Sequence, residues 1–225
     1  MKQIIASLVL LCLIAPALAE DAVSLDSERQ KASYAVGLQI GQSLLRQGVD
    51  LDGDAFLQAI KDVYTQTKPR LTRKELQEVL TRQSNRIRSA QKKVAQKNLA
   101  AGQDFLAKNR KQEGLVELKD GLQYIVVKEG TGAKPGPKDT VVVQYRGTHL
   151  DGSEFDSSYK RNEPATLPLN GVIKGWQEAL TRMPVGSKWR IFVPAKLAYG
   201  PRGAGAAIGP NETLIFDVEL LKIKK

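Results

Sequence analysis

Between Pro69 and Pro135 the chain contains no proline, and over most of that interval its apolar residues keep a helical beat. Thr72, with Glu75 three residues on, forms a capping box that starts a helix. Leu76, Leu80, Gln83, Ile87, Ala90 and Val94 then step by four, three, four, three and four, which keeps one narrow stripe on a helix reaching about Asn109. Forty residues at about 1.5 Å each make a rod of about 60 Å. Such a rod separates two bodies, so residues 70–114 read as a connecting helix between a segment at 20–69 and a domain at 115–225.

The formal net charge of +10 is mostly a property of this rod, since residues 70–116 hold 12 basic and 4 acidic side chains. A basic helix can attract nucleic acid, but no aromatic residues interleave with these charges, and nucleic acid is not expected as a partner. A solvated face is the plainer reading, with attraction to an anionic envelope surface beside it.

The first residues bear on compartment. Lys2 supplies a short positive region, Ile4 to Ile14 an apolar core too short to span a bilayer, and Ala17-Leu18-Ala19 a small-x-small cleavage site. Residues 1–19 therefore read as a secretory signal removed after Ala19. Cys12 invites a lipid-attachment reading, against which stands Leu11, where a small side chain is usual. Because Cys12 is the single cysteine, the exported chain would escape disulfide dependence in an oxidising compartment. His149 is the single histidine, and a histidine beside a turn reads as a surface residue. No thiol nucleophile and no Cys/His metal cluster can be built, and a Ser-His-Asp triad only if His149 serves it. No cofactor is implied, and the chemistry needs no nucleophile.

Within residues 20–69 a capping pattern at Ser27 and Gln30 precedes one helix, and Phe56, Leu57, Ile60, Val63 and Tyr64 mark a second. About fifty residues with about ten large apolar side chains bury too little surface to be stable alone. The segment therefore makes a homodimer or packs on the C-terminal domain. From Leu115 the texture turns to strands at Leu115 to Leu118, Leu122 to Glu129, Thr140 to Leu150, Gly186 to Ala195 and Thr213 to Lys224, divided by Gly- and Pro-rich turns. The one helical stretch among them, Val172 to Met183, sets Trp176 and Leu180 on one face. About five strands and one amphipathic helix imply an α+β fold, a curved antiparallel half-barrel sheet wrapped over one short helix.

The strings Tyr145-Arg-Gly-Thr-His-Leu-Asp-Gly-Ser-Glu-Phe155-Asp156, Gly171-Val172-Ile173-Lys-Gly175-Trp176, Leu197-Ala-Tyr199-Gly200 and Gly209-Pro-Asn-Glu-Thr-Leu-Ile-Phe216 occur in that order. Together they resemble the FKBP-type peptidyl-prolyl cis/trans isomerases over about residues 117–225. The whole arrangement resembles the secreted Mip-like (macrophage infectivity potentiator) branch, in which the N-terminal segment makes a homodimer. By that resemblance Asp156, Tyr199 and the backbone of Ile173 act on the substrate amide. Tyr145, Phe155, Arg161, Val172, Trp176, Ile208 and Phe216 bind the substrate, with Trp176 as floor. The resemblance implies clients that are unfolded or partly folded proteins containing proline, macrolide binding, and a periplasmic, outer-membrane or surface location. Two places depart from the small members of the family: Ala165 replaces an aromatic residue, and the flap Gly203-Ala-Gly-Ala-Ala207 carries no bulky group, which thins the rim.

The chemistry fits an enzyme with no nucleophile. Rotation about X-Pro must break amide resonance against a barrier of about 18–20 kcal/mol, and the twisted amide is less dipolar than the planar one, so an apolar, water-poor site favours it. The rival readings are a dimeric chaperone with little isomerase dependence and a surface virulence or binding module.

Overall fold

The computed structural model describes residues 24–224; the expected leader, with Cys12 and the expected cleavage site after Ala19, lies outside them. The chain divides into two units, the first ending at Leu45 and the second starting at Arg46. Helix α1 (Glu28–Arg46) makes up most of the described part of the first. Its start is closed as the sequence predicts, with Gln30 N–H donating to Ser27 Oγ at 3.2 Å and Ser27 N–H to Gln30 Oε1 at 2.8 Å. None of its residues is buried, and Tyr34, Val36, Leu38 and Leu45 stand exposed.

The second unit opens with α2 (Gly53–Tyr64), capped by Asp52, whose side chain accepts from Ala55 N–H at 2.9 Å. It too buries no residue. Helix α3 (Arg73–Asn109) follows, and both halves of the Thr72/Glu75 capping box form. Its 37 residues make a rod of about 55 Å. The apolar stripe stays exposed at Leu76, Leu80 and Val94. The same stripe continues at Asn98, Gly102, Phe105 and Asn109, and there it is covered. Phe105 meets Phe192 with ring centroids 5.8 Å apart. Asn98 Nδ2 donates to Pro210 O at 2.9 Å and Asn109 Nδ2 to Gln123 Oε1 at 3.0 Å, while Gln123 Nε2 donates to Leu106 O at 3.0 Å. Gly102 makes the approach possible, because a Cβ there would lie 2.2 Å from Thr213 Oγ1. The last turns of α3 are thus built into the C-terminal body.

That body is one antiparallel sheet of seven strands: β1 (Leu115–Glu117), β2 (Gln123–Lys128), β3 (Thr140–Thr148), β4 (Glu154–Ser157), β5 (Ala165–Pro168), β6 (Lys188–Val193) and β7 (Leu214–Lys224). The spatial order is β1-β2-β6-β7-β3-β4, with β5 also on β3. Five strands match the sequence expectation; β4 and β5 are additions, each four residues long and too short for alternation to show. Along one edge β3 pairs with β7. The other edge is shared by β5 at Thr140–Val143 and β4 at Arg146–Thr148, and residues 158–164 loop out between them.

Helix α4 (Lys174–Leu180) lies on the inner face, and a Cβ on its Gly175 would come within 2.5 Å of Val193 Cγ1. Close seating lets Trp176, Ala179 and Leu180 join Val141, Val143, Ile191, Val193, Val218 and Leu220 in one core. The α+β expectation of a sheet over one short helix holds. Besides α4 this body has only short 3₁₀ turns among the described residues, at Leu169–Gly171, Ala195–Leu197 and Gly200–Arg202.

Candidate active site

The strand pattern brings the aromatic residues together. On β3, Val141, Val143, Tyr145 and Gly147 alternate inward; on β7, Leu214, Phe216, Val218 and Leu220 do the same. Gly147 pairs with Asp156, then the register slips before Thr148 pairs with Glu154, which leaves Phe155 as the extra residue of a bulge. Strict alternation would send Phe155 and Asp156 to opposite faces. The bulge lets both reach the inner side, Phe155 to the Phe216 ring and Asp156 to the Tyr145 hydroxyl.

Four rings meet edge to face. Trp176 lies 5.1 Å from Tyr145 at 86° and 5.3 Å from Phe216 at 85°, and Phe155 lies 5.6 Å from Phe216 at 89°. Gly147 sits behind this group, where a Cβ would be 2.6 Å from Phe155 Cζ and 2.9 Å from Phe216 Cε1. Trp176, Tyr145 and Phe216 are buried and Phe155 half-buried.

Polar groups gather at one side of the rings. Tyr145 OH donates to Asp156 Oδ2, and Arg161 donates from Nη1 to Asp156 Oδ1 at 2.5 Å and from Nη2 to Tyr145 OH at 2.9 Å. The Arg161 guanidinium also lies 5.5 Å from the Tyr145 ring centroid. Burial pushes the Asp156 carboxyl up, but the hydrogen bonds from Tyr145 and Arg161 and the Arg161 charge outweigh it and hold the group below its ordinary value. Burial, helped by the Asp156 hydrogen bond, pushes the Tyr145 hydroxyl above its usual range, so Tyr145 remains a donor.

Tyr199 belongs to this side and not to the ring cluster. It is 41% exposed, and burial, with the Asp156 charge second, raises its hydroxyl above the usual tyrosine value. The fourth ring of the cluster is Phe216. Ile173 caps α4, and its N–H has no hydrogen-bond partner among the described residues. Val172 is fixed beside it by Gln177 Nε2, which donates to Val172 O at 2.7 Å.

Ile208 returns from the flap into the core, only 6% exposed. The flap is a small hairpin in which Ala204 and Ile208 exchange hydrogen bonds at 2.8 and 3.1 Å. Gly203 turns it at φ 62°, with no room for a side chain against Ile208 O. Ala206 and Ala207 are exposed at its tip.

Sequence reading misplaced one residue here. His149 is not a free surface side chain: its Nδ1 lies 2.7 Å from Glu212 Oε2 and its ring 5.1 Å from that of Phe155. Half-buried, it backs the aromatic group. Its signal was that it stands six residues before Phe155 across a turn, which places it near the same end of the β3–β4 pair. The contacts from Asn98 to the flap base carried no apolar signal and were not foreseen.

Among the described residues no helix is long and apolar enough to cross a membrane. Residues 131–221 match a family model described as FKBP-type peptidyl-prolyl cis-trans isomerase, and residues 29–126 one described as the domain amino terminal to it. The chain is 43% identical over 229 residues to "Outer membrane protein MIP" of Legionella longbeachae, covering 100% of this chain and 98% of that one. To "Peptidyl-prolyl cis-trans isomerase Mip" of Coxiella burnetii it is 40% identical, with 100% of both chains covered. The crystal structure of FkpA from Escherichia coli superposes with a TM-score of 0.63 at 39% identity, over 89% of this chain and 99% of that one.

Proposed function

The chain belongs to the FKBP-type peptidyl-prolyl cis-trans isomerases, and on that footing we propose how it turns an X-Pro bond and for which clients. The enzyme catalyses rotation about the prolyl amide. The observation that carries the residue assignment is the edge-to-face group of Tyr145, Trp176, Phe216 and Phe155 with Asp156 and Arg161 bonded at its side.

The proline ring lies on Trp176 between Tyr145 and Phe216, with Phe155, Val172 and Ile208 completing the wall. Burial there strips water from the amide and favours its less dipolar, twisted form. The Ile173 N–H, standing free at the start of α4, holds a substrate carbonyl still while the other half of the amide turns. Tyr199 donates to a neighbouring carbonyl. Asp156, kept ionised by Tyr145 and Arg161, fixes those two groups and acts on the twisted amide electrostatically. Nothing covalent forms. In a protease-coupled assay on a short prolyl peptide, Asp156→Leu and Tyr199→Phe each lower kcat/KM by about tenfold, or about 1.4 kcal/mol of barrier. Full activity in both variants would sink the assignment.

The clients are exported proteins with slow prolyl bonds, and the enzyme works in the periplasm or at the outer surface. Support comes from the apolar leader read in the sequence and from the outer-membrane name of the Legionella relative. Macrolides occupy the same aromatic site. The chain pairs with a second copy through residues 20–69, supported by the uncovered Tyr34, Leu38, Leu57, Ile60 and Tyr64. The mass in solution tests this: the whole chain runs as a dimer, and a chain starting at residue 70 as a monomer.

Those same uncovered faces favour a second reading, a chaperone that holds unfolded chains on α1 and α2. Refolding of a cis-proline protein compared with aggregation of a proline-free one separates the two.

A further inference from the structure

From Glu78 to Asp104 helix α3 has no acidic residue between its two ends and six basic ones. Arg82, Arg86, Lys93 and Lys97 are spaced four, seven and four apart, which sets them in one row within about 60° of the helix surface. All four are exposed. Arg82 lies 3.8 Å from Glu78 on its own helix; Arg86, Lys93 and Lys97 form no ion pair among the described residues. Like charges held in one row repel, and beyond the Glu78 contact at Arg82 no ion pair among the described residues relieves them.

The row ends in a groove of about 620 Å³, bounded by Lys97 and Ala101 of α3, by the turn from His149 to Ser153, and by Ala206 and Ala207 of the flap. The groove contains two carboxylates, and both are engaged. Glu212 Oε2 meets His149 Nδ1 at 2.7 Å, while Asp151 Oδ1 accepts from the Ser153 N–H at 2.9 Å and its hydroxyl at 2.5 Å. His149 forms part of the groove wall and also packs on the Phe155 ring, so one imidazole separates groove from aromatic group.

A chain bound by its proline at the rings can therefore continue past His149 into the groove and up the basic row. We propose that this track takes the acidic stretch of an extended client polypeptide whose X-Pro bond sits on the aromatic group, so that the enzyme prefers prolines flanked by acidic sequence. The proposal rests on the isomerase reading and narrows its substrate class. A flat anionic membrane would also be drawn to the row, but it offers nothing to enter a groove that shares the His149 wall with the aromatic group.

The test uses the whole protein and three kinds of peptide: a short X-Pro core, the core with four glutamates on either side across a flexible spacer, and the same with four lysines. On one of the two sides the acidic extension raises kcat/KM about three- to tenfold at low salt through KM, and the gain fades toward about 1 M salt. In Arg86→Glu/Lys93→Glu/Lys97→Glu the order of acidic and basic peptides reverses. That ratio is taken within one variant, so partial loss of folded protein cancels. Equal kcat/KM for all three peptides overturns the proposal while leaving the isomerase reading in place; failure to turn over any of them overturns both. Charge-dependent binding to phosphatidylglycerol vesicles without a peptide preference also overturns it, assigning the row to a membrane.

Discussion

Gly147→Ala sets two effects of opposite sign against each other. In a strand with no positive φ at this position, replacing glycine restricts the unfolded chain and stabilises by about 0.4–1 kcal/mol. Against that, the new methyl would lie 2.6 and 2.7 Å from Phe155 Cζ and Cε2 and 2.9 Å from Phe216 Cε1, where carbon atoms rest at about 3.5–4.0 Å. Overlap of this kind in a packed interior costs about 1–3 kcal/mol. Phe155 is half-buried and swings more easily than Phe216, so part of the overlap is relieved by moving a ring out of the site. The variant should lose about 1–2 kcal/mol in urea unfolding, with unchanged m value, and its kcat/KM should fall further than its stability. Adding Phe155→Leu should recover stability without recovering activity. A Gly147→Ala protein as stable and active as the parent would refute the account of how the rings are held.

Other expectations follow from the same geometry. Gly102→Ala gains helix propensity of about 1 kcal/mol but places its Cβ 2.2 Å from Thr213 Oγ1, so the end of α3 should lift; hydrogen exchange between Asn98 and Asn109 should quicken, and slower exchange there would contradict the packing. Thr72→Ala removes the hydroxyl half of the capping box and leaves the backbone N–H bond to Glu75, at about 0.5–2 kcal/mol, and should show as faster exchange confined to the first turns of α3. Asp156 has its folded pKa depressed, so its ionised form persists at neutral pH and its contribution is lost only as pH falls through that lowered value. Arg161→Ala removes a hydrogen bond and a charge that hold it down, and the acid limb of the kcat/KM profile should move upward; an unmoved limb would show that Asp156 does not govern it.

Much of this was legible in the residues. The long helix announced itself because thirty-odd residues repeat one period and a capping box marks its start, and the four strings of the C-terminal body name a family together where none would alone. What was hidden depends on geometry that a period cannot express. Strands of four residues, β4 and β5, look like turns until β3 offers them an edge. The bulge at Phe155 breaks the alternation by which strand faces are read. The docking seam of α3 uses Asn98 and Asn109, which satisfy backbone and side-chain groups and therefore leave no apolar mark.

The divided edge of β3 separates two tasks along the chain. The aromatic floor comes from long strands and a seated helix whose residues are locked by neighbours on every side, whereas Arg161 rides on the excursion between β4 and β5, tied back through the buried Ser158 and through its own bonds to Asp156 and Tyr145. Insertions or charge changes within residues 159–164 can re-tune what approaches the rings and how the Asp156 carboxylate is held, while the ring cluster itself keeps its packing.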